Sequence, residues 1–293
     1  MFDRVTQQTV QRSTLHNLQS NLTSMAALQA QMSSGKKLQR PSDDPALAGQ
    51  AMHLRGTARQ IAQYQRNAID GDSWLSTVDT ALVGSLATLR RVRDLVVNSG
   101  DGAYGVASRE ALAVEVEQLH DDLVTRANTQ YQGRTVFAGT SDAGVAFDAA
   151  YTWTGAAGAA VERRISASSS VRVDADGSAA FGEGATSVFA LVDDVAATLH
   201  ANGDASGYLD AIDARMQSML TAAATNGSRQ RVLQASITDL SSQAQTVRSQ
   251  LSGIEDIDLA EVIMDLGMQE VAYRGALDAG SRVLQPSLLD FLK

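Results

Sequence analysis

The 293-residue chain contains no cysteine and only three prolines. Without cysteine there is no disulfide scaffold, no thiol nucleophile, no Cys-ligated zinc and no iron–sulfur cluster. The prolines are Pro41, Pro45 and Pro286, so residues 46–285 run without one. Proline is the strongest helix breaker and alanine the best helix former. With 46 alanines in the chain, the long proline-free span therefore reads as largely helical. Aromatic residues are also scarce, with six Phe, six Tyr and two Trp. Slender helical packing around Leu, Val, Ile and Ala is expected rather than a wide core.

Long apolar runs are missing too. The longest, Met25–Leu28 and Val188–Val192, fall far short of the ~20 residues that span a bilayer. No apolar stretch of signal-peptide length follows Met1-Phe2-Asp3-Arg4, so neither membrane insertion nor a cleaved signal is expected. A net charge of −9 argues against broad binding to nucleic acid or anionic membranes. That charge is unevenly spread. Residues 1–60 hold seven Lys/Arg against three acids, whereas residues 254–293 hold eight acids against three bases. A basic start and an acidic end suit two ends that pair, within one chain or between copies.

What is present is mostly helical periodicity. Leu15, Leu18, Leu22, Met25, Gln29 and Met32 follow 3/4 spacing, an a/d seam with one polar interruption. Ser33-Ser34-Gly35 should end that helix, glycine being suited to the left-handed C′ position. After the basic connector Lys36–Pro41, Ser42-Asp43-Asp44-Pro45 reads as a helix start with an Asp N-cap and Pro at N1. Helix should then run to about Val97 and resume from a cap at Ser108. Residues 139–187 are rich in Gly, Ser, Ala and Asp, and read as a small β insertion. Its strands are expected at Val161–Ile165, Val171–Val173 and Ala179–Phe181, with Asp174–Gly177 as a hairpin turn and Phe147, Tyr151, Trp153 and Phe181 as its core. Helix returns at Val188 and at Tyr208–Ala224. The longest helix is expected from Gln230 to Gln285, with a register offset near Gly253–Asp258. Its far part carries Leu259, Ile263, Leu266, Glu270, Tyr273, Leu277, Gly280 and Leu284 at 4/3 spacing. The fold class is thus mainly α with a small β insertion.

No constellation for catalysis, cofactor or metal binding emerges. His16, His53, His120 and His200 have no second histidine three or four residues away. Asp174 and Asp176 lack the remaining ligands of a calcium loop. Glu255, Asp256, Asp258 and Glu261 surround a helix axis rather than converge, and suit a solvated or pairing face. Arg90, Arg91 and Arg93 suit surface ion pairs. No enzyme, no cofactor and no metal are expected. The first seam's helix is short enough to be marginal alone in water, and Gly253, Gly267, Gly275 and Gly280 weaken the last one. Both features favour helices that gain order from partner helices.

The ends also resemble a known group. Leu28–Leu38 with Ser33-Ser34-Gly35, then Ser42-Asp43-Asp44-Pro45, and Gly253–Ala260 with Ile254-Glu255-Asp256, resemble the flagellin-like axial proteins of the bacterial flagellum. Arg4–Gln7, Pro41–Pro45, Gly133–Gly139, Ala180-Phe181-Gly182, Gly227–Leu233 and Ser287–Leu292 resemble the hook–filament junction branch more than flagellin. The resemblance implies an elongated bundle whose N- and C-terminal helices pair as a coiled coil, Leu15, Leu18, Leu22, Met25 and Met32 facing Leu259, Ile263, Leu266, Leu277 and Leu284. It implies a terminal coiled-coil domain (1–44 and 255–293), a helical rod (45–138 and 188–254) and the β insertion (139–187). It also implies an extracellular subunit exported by the flagellar type III apparatus with a cytoplasmic chaperone. Such a subunit would form a homo-oligomeric ring between the first hook-associated protein and flagellin. The alternative within the group is flagellin itself, the bulk filament subunit.

Overall fold

The computed structural model describes residues 7–100 and 105–284. Seven helices are present among them: α1 (Gln7–Ser34), α2 (Pro45–Ser99), α3 (Val106–Ala127), α4 (Gly177–Phe181), α5 (Val188–His200), α6 (Leu209–Glu255) and α7 (Leu259–Leu284). Two 3-10 turns (Gly184–Thr186 and Ser206–Tyr208) and two antiparallel hairpins accompany them, β1 (Gln130–Tyr131) with β2 (Arg134–Thr135) and β3 (Glu162–Arg164) with β4 (Ser170–Arg172). The chain divides into two compact units, residues 1–59 with 244–293, and residues 60–243. Both divisions fall inside long helices, α2 and α6. The segment 139–187 belongs to the second unit.

The second unit holds the large core. Trp74, Leu75, Leu82, Leu89 and Leu95 of α2 are buried, as are Leu123 of α3, Leu199 of α5 and Ile212 and Met219 of α6. The scarce aromatics are concentrated beside them. Phe137, Phe147, Phe181 and Phe189 contact one another edge-on or stacked, with centroids 5.1–5.8 Å apart. Tyr151 adds a ring 5.5 Å from Phe189, and its hydroxyl donates to Asp193 Oδ2 at 2.5 Å. Burial and that carboxylate push the phenol up to about 12. His120, only 13% exposed, lies against Tyr151 and Phe189. His200 bridges α5 to α3, its two ring nitrogens 2.9 and 3.0 Å from Glu110 and Glu117. The hydrogen bonds to Glu110 and Glu117 raise the imidazole pKa, and the protonated ring donates from both nitrogens.

Several sequence expectations are corrected. Asp174–Gly177 is no hairpin turn, because the Asp176 carboxylate accepts from Ala179 N at 3.2 Å and caps α4. Ala179–Phe181 is accordingly helical, and Gly182 ends the helix at φ +81°. A Cβ at Gly182 would lie 2.6 Å from Thr186 O, so glycine is required there. The β3–β4 turn falls instead at 165–169. Ser108 lies inside the first turn of α3, whose N-cap is Gly105. Tyr208–Ala224 and the later helical stretch are one helix, α6, because Asn226 and Gly227 stay helical. The Asn226 side chain instead donates to Leu75 O at 2.9 Å. The longest helix is α2 with 55 residues, since α6 stops at Glu255 and α7 starts afresh. Arg91 and Arg93 do form surface ion pairs, with Glu115 and Asp213.

Candidate assembly site

In the first unit, the segments around both terminal motifs meet. Gly35 ends α1 at φ +69°, its N–H donating to Gln31 O at 2.8 Å, so the chain leaves the helix in a left-handed turn. Ser34 Oγ donates to Gln31 O and accepts from Lys36 N, while Ser33 is exposed. Asp43 Oδ2 accepts the N–H groups of Gln39 and Arg40 at 3.2 and 2.8 Å, holding the connector. Asp44 Oδ1 accepts from Ala46 N and Leu47 N, both at 3.0 Å, and so caps α2 in front of Pro45.

The register offset expected near Gly253–Asp258 is a helix break. Asp258 Oδ1 accepts from Ala260 N and Glu261 N and starts α7. The break frees backbone groups that the other terminal segment takes up. Lys37 N donates to Glu255 O at 2.6 Å, and Ile257 N donates to Gly35 O at 3.2 Å. Ion pairs surround this bridge. Lys36 Nζ lies 2.6 Å from Asp256 Oδ1 and 3.4 Å from Glu255 Oε2, and Arg55 Nε lies 2.8 Å from Glu255 Oε1. Ser252 Oγ donates to Asp256 Oδ2 at 2.6 Å. The hydrogen bond to Asp256 raises the Lys36 pKa, and the bonds from Lys36 and Ser252 lower that of Asp256. The expected pairing of a basic start with an acidic end thus takes this local form.

Glu255 is the buried member, its side chain 4% exposed. Glu255→Gln keeps the shape and removes the charge. Because Lys36 and Arg55 remain partly hydrated, the expected loss is about 1–2 kcal/mol, a factor of roughly 5–30 in local opening. Hydrogen exchange at the Lys37 and Ile257 amides measures it. Asp256, lowered in the folded chain, contributes above the ordinary carboxylate pKa of about 3.9 and loses that contribution as pH falls through its depressed value. Lys36, raised, loses its contribution only in strong alkali. The clasp should therefore hold steady from about pH 5 to 9 and open in acid.

Beyond the clasp, α1 and α7 pack together antiparallel, with Asn21 beside Gln269 (Nε2 to Oδ1 3.2 Å) and Thr14 against Gly280. The inward stripe is Thr14, Leu18, Asn21, Met25, Leu28 and Gln31 on α1, and Val262, Leu266, Gln269, Tyr273, Ala276 and Gly280 on α7. It keeps 3/4 spacing but is turned from the expected seam. Leu18, Met25 and Leu266 fall on it, half-buried, whereas Leu15, Leu22, Met32, Leu259, Ile263 and Leu277 are exposed. The cause is that both helices carry more apolar residues than one seam uses, while Asn21 and Gln269 satisfy each other inside. Sequence spacing also missed a further stripe on α7, Met264, Met268 and Val271, which is 63–71% exposed. A second 4/3 spacing on the same helix was the available signal. The Leu284 side chain, Arg4–Thr6, Pro286 and Ser287–Leu292 lie outside the described residues.

A mostly helical chain whose terminal segments are joined at these motifs is similar to the flagellin-like structural proteins of the bacterial flagellum. Residues 5–142 match the family model of the bacterial flagellin N-terminal helical region. Among curated relatives, the flagellin of Bacillus subtilis is 27% identical over 85% of this chain and 86% of its own length. The flagellar hook-associated protein 3 of Salmonella typhimurium is 28% identical over 50% of this chain, a match spanning 47% of that protein. The solved structure of a flagellar hook-associated protein from Vibrio parahaemolyticus shares the fold, with TM-score 0.66 at 23% identity over 73% of this chain and all of that one. Among the described residues no helix is long and apolar enough to cross a membrane.

Proposed function

We propose that this chain is the adaptor between the flagellar hook and its filament, and that its terminal helices assemble with copies of themselves. One observation carries the reading. Among the described residues the first unit buries only Ala48, Ala51, Val247 and Val262 as apolar side chains, yet exposes Leu15, Leu22, Met32 and most apolar residues of α7. Such a unit has too little core to be stable by itself, and its apolar stripes fit neighbouring helices of the same kind. The exposed members of the expected seam are, on this reading, assembly contacts rather than contacts within one chain. The partners are further copies in a ring, the first hook-associated protein on one side and flagellin on the other. Export through the type III apparatus, with a chaperone and without a cleaved signal, belongs to the same proposal. So does a purely structural role without catalysis.

The match across most of a flagellin supports a second reading, the bulk filament subunit. Immunogold labelling of an epitope-tagged chain separates the two. The adaptor should be labelled at one point per flagellum, where hook meets filament. Label along the whole filament would establish the flagellin reading instead.

A further inference from the structure

The second unit has an open-mouthed cavity of about 320 Å³ between the α4 region and the middle of α6. That lies at the lower end of volumes that hold small organic ligands. Two arginines, Arg172 and Arg229, line it. Arg172 is spent on Asp174, with Nε and Nη2 2.9 and 2.7 Å from its two oxygens. Arg229 uses Nη1 on the Asp174 carbonyl at 2.9 Å, and among the described residues no carboxylate lies within 4 Å of it. Among the described residues its half-buried charge, beside a second guanidinium, makes no ion pair in contact, Asp174 acting on it only from farther away. Burial and Arg172 lower its pKa, partly offset by the charge of Asp174.

The α6 wall has a different character. Ser218, Thr221 and Thr225 each donate their hydroxyl proton to the carbonyl four residues earlier, so they offer only lone pairs to the cavity. Asn226 is 2% exposed and its amide nitrogen is fixed on Leu75 O. That leaves Oδ1 as a buried acceptor with no partner among the described residues. Asp176 adds a further acceptor at the rim. The cavity thus pairs a positive group lacking a carboxylate with a wall of acceptors. From this we infer that it is a binding site for a small polyhydroxylated carboxylate, a sugar acid. The carboxylate meets Arg229, and the hydroxyls donate to the oxygens of Ser218, Thr221 and Thr225 on the α6 wall. A simple anion would leave the acceptor wall unused, and a neutral sugar would leave Arg229 without a carboxylate in contact.

Isothermal titration of the full chain with D-glucuronate tests this, with D-glucose and acetate as probes lacking one feature each. Saturable binding with Kd of about 1 mM or tighter is expected for glucuronate, at least tenfold weaker for the other two. Arg229→Gln should weaken glucuronate binding tenfold or more. Ala222→Leu, which fills the cavity, should abolish it, with an unshifted thermal midpoint reporting an intact fold. If Arg229→Gln fails to fold, the probe comparison and Ala222→Leu decide. Glucuronate binding no tighter than glucose, or unchanged in Ala222→Leu, would overturn the assignment.

Discussion

Phe189→Ala should destabilise the second unit by about 3–5 kcal/mol, the usual loss when a large aromatic is cut from a packed core. Phe189 is fully buried and faces four rings, those of Phe147, Phe181, Tyr151 and His120. Its removal takes away edge and stacking contacts together. The space cannot close easily, since Phe181 is itself held by Phe137 and Phe147. For a unit of this size the thermal midpoint should fall by about 6–20 °C, measured by calorimetry. A fall of less than 3 °C would mean that the aromatic cluster is not the centre of this core.

That cluster shows how far the sequence could be read. A chain poor in aromatics, with several of them around one Gly-rich segment, led to a small core near Phe147, Tyr151, Trp153 and Phe181, and that is where it lies. The helix stop at Gly35 and the start at Asp44-Pro45 were also legible, because the chemistry that sets them is local. Asp176 was legible only in part. An Asp before Gly serves equally to turn a hairpin or to cap a helix, and the residues that decide between them pack from elsewhere. Asn226 and Gly227 carried the opposite error, since α6 runs on through both and the Asn226 amide donates to Leu75 O. The inward stripe of α1 and α7 was the least legible feature. A 3/4 pattern identifies apolar faces but not which face a given partner takes, and here Asn21 and Gln269 point inward while Leu15, Leu22 and Ile263 do not.

The exposed stripes give the second large effect. Ile263→Lys with Val271→Lys should leave the folded monomer almost unchanged, since both sites are exposed and lysine is a good helix former. In the assembly the same change loses about 1.5–3 kcal/mol of apolar burial per site and adds charges that must be desolvated. Association should weaken by about 10²-fold or more, and cells carrying the variant should lose their filaments. Thermal denaturation reports the first half and electron microscopy of the cells the second. Normal filaments with this variant would show that the α7 stripe is not an assembly contact.

Electron microscopy of cells from which the gene has been deleted tests directly whether the chain joins hook to filament. Complete hooks without filaments are expected, with flagellin shed into the medium and filaments restored by the intact gene. Filaments of normal length on the deletion cells would contradict it.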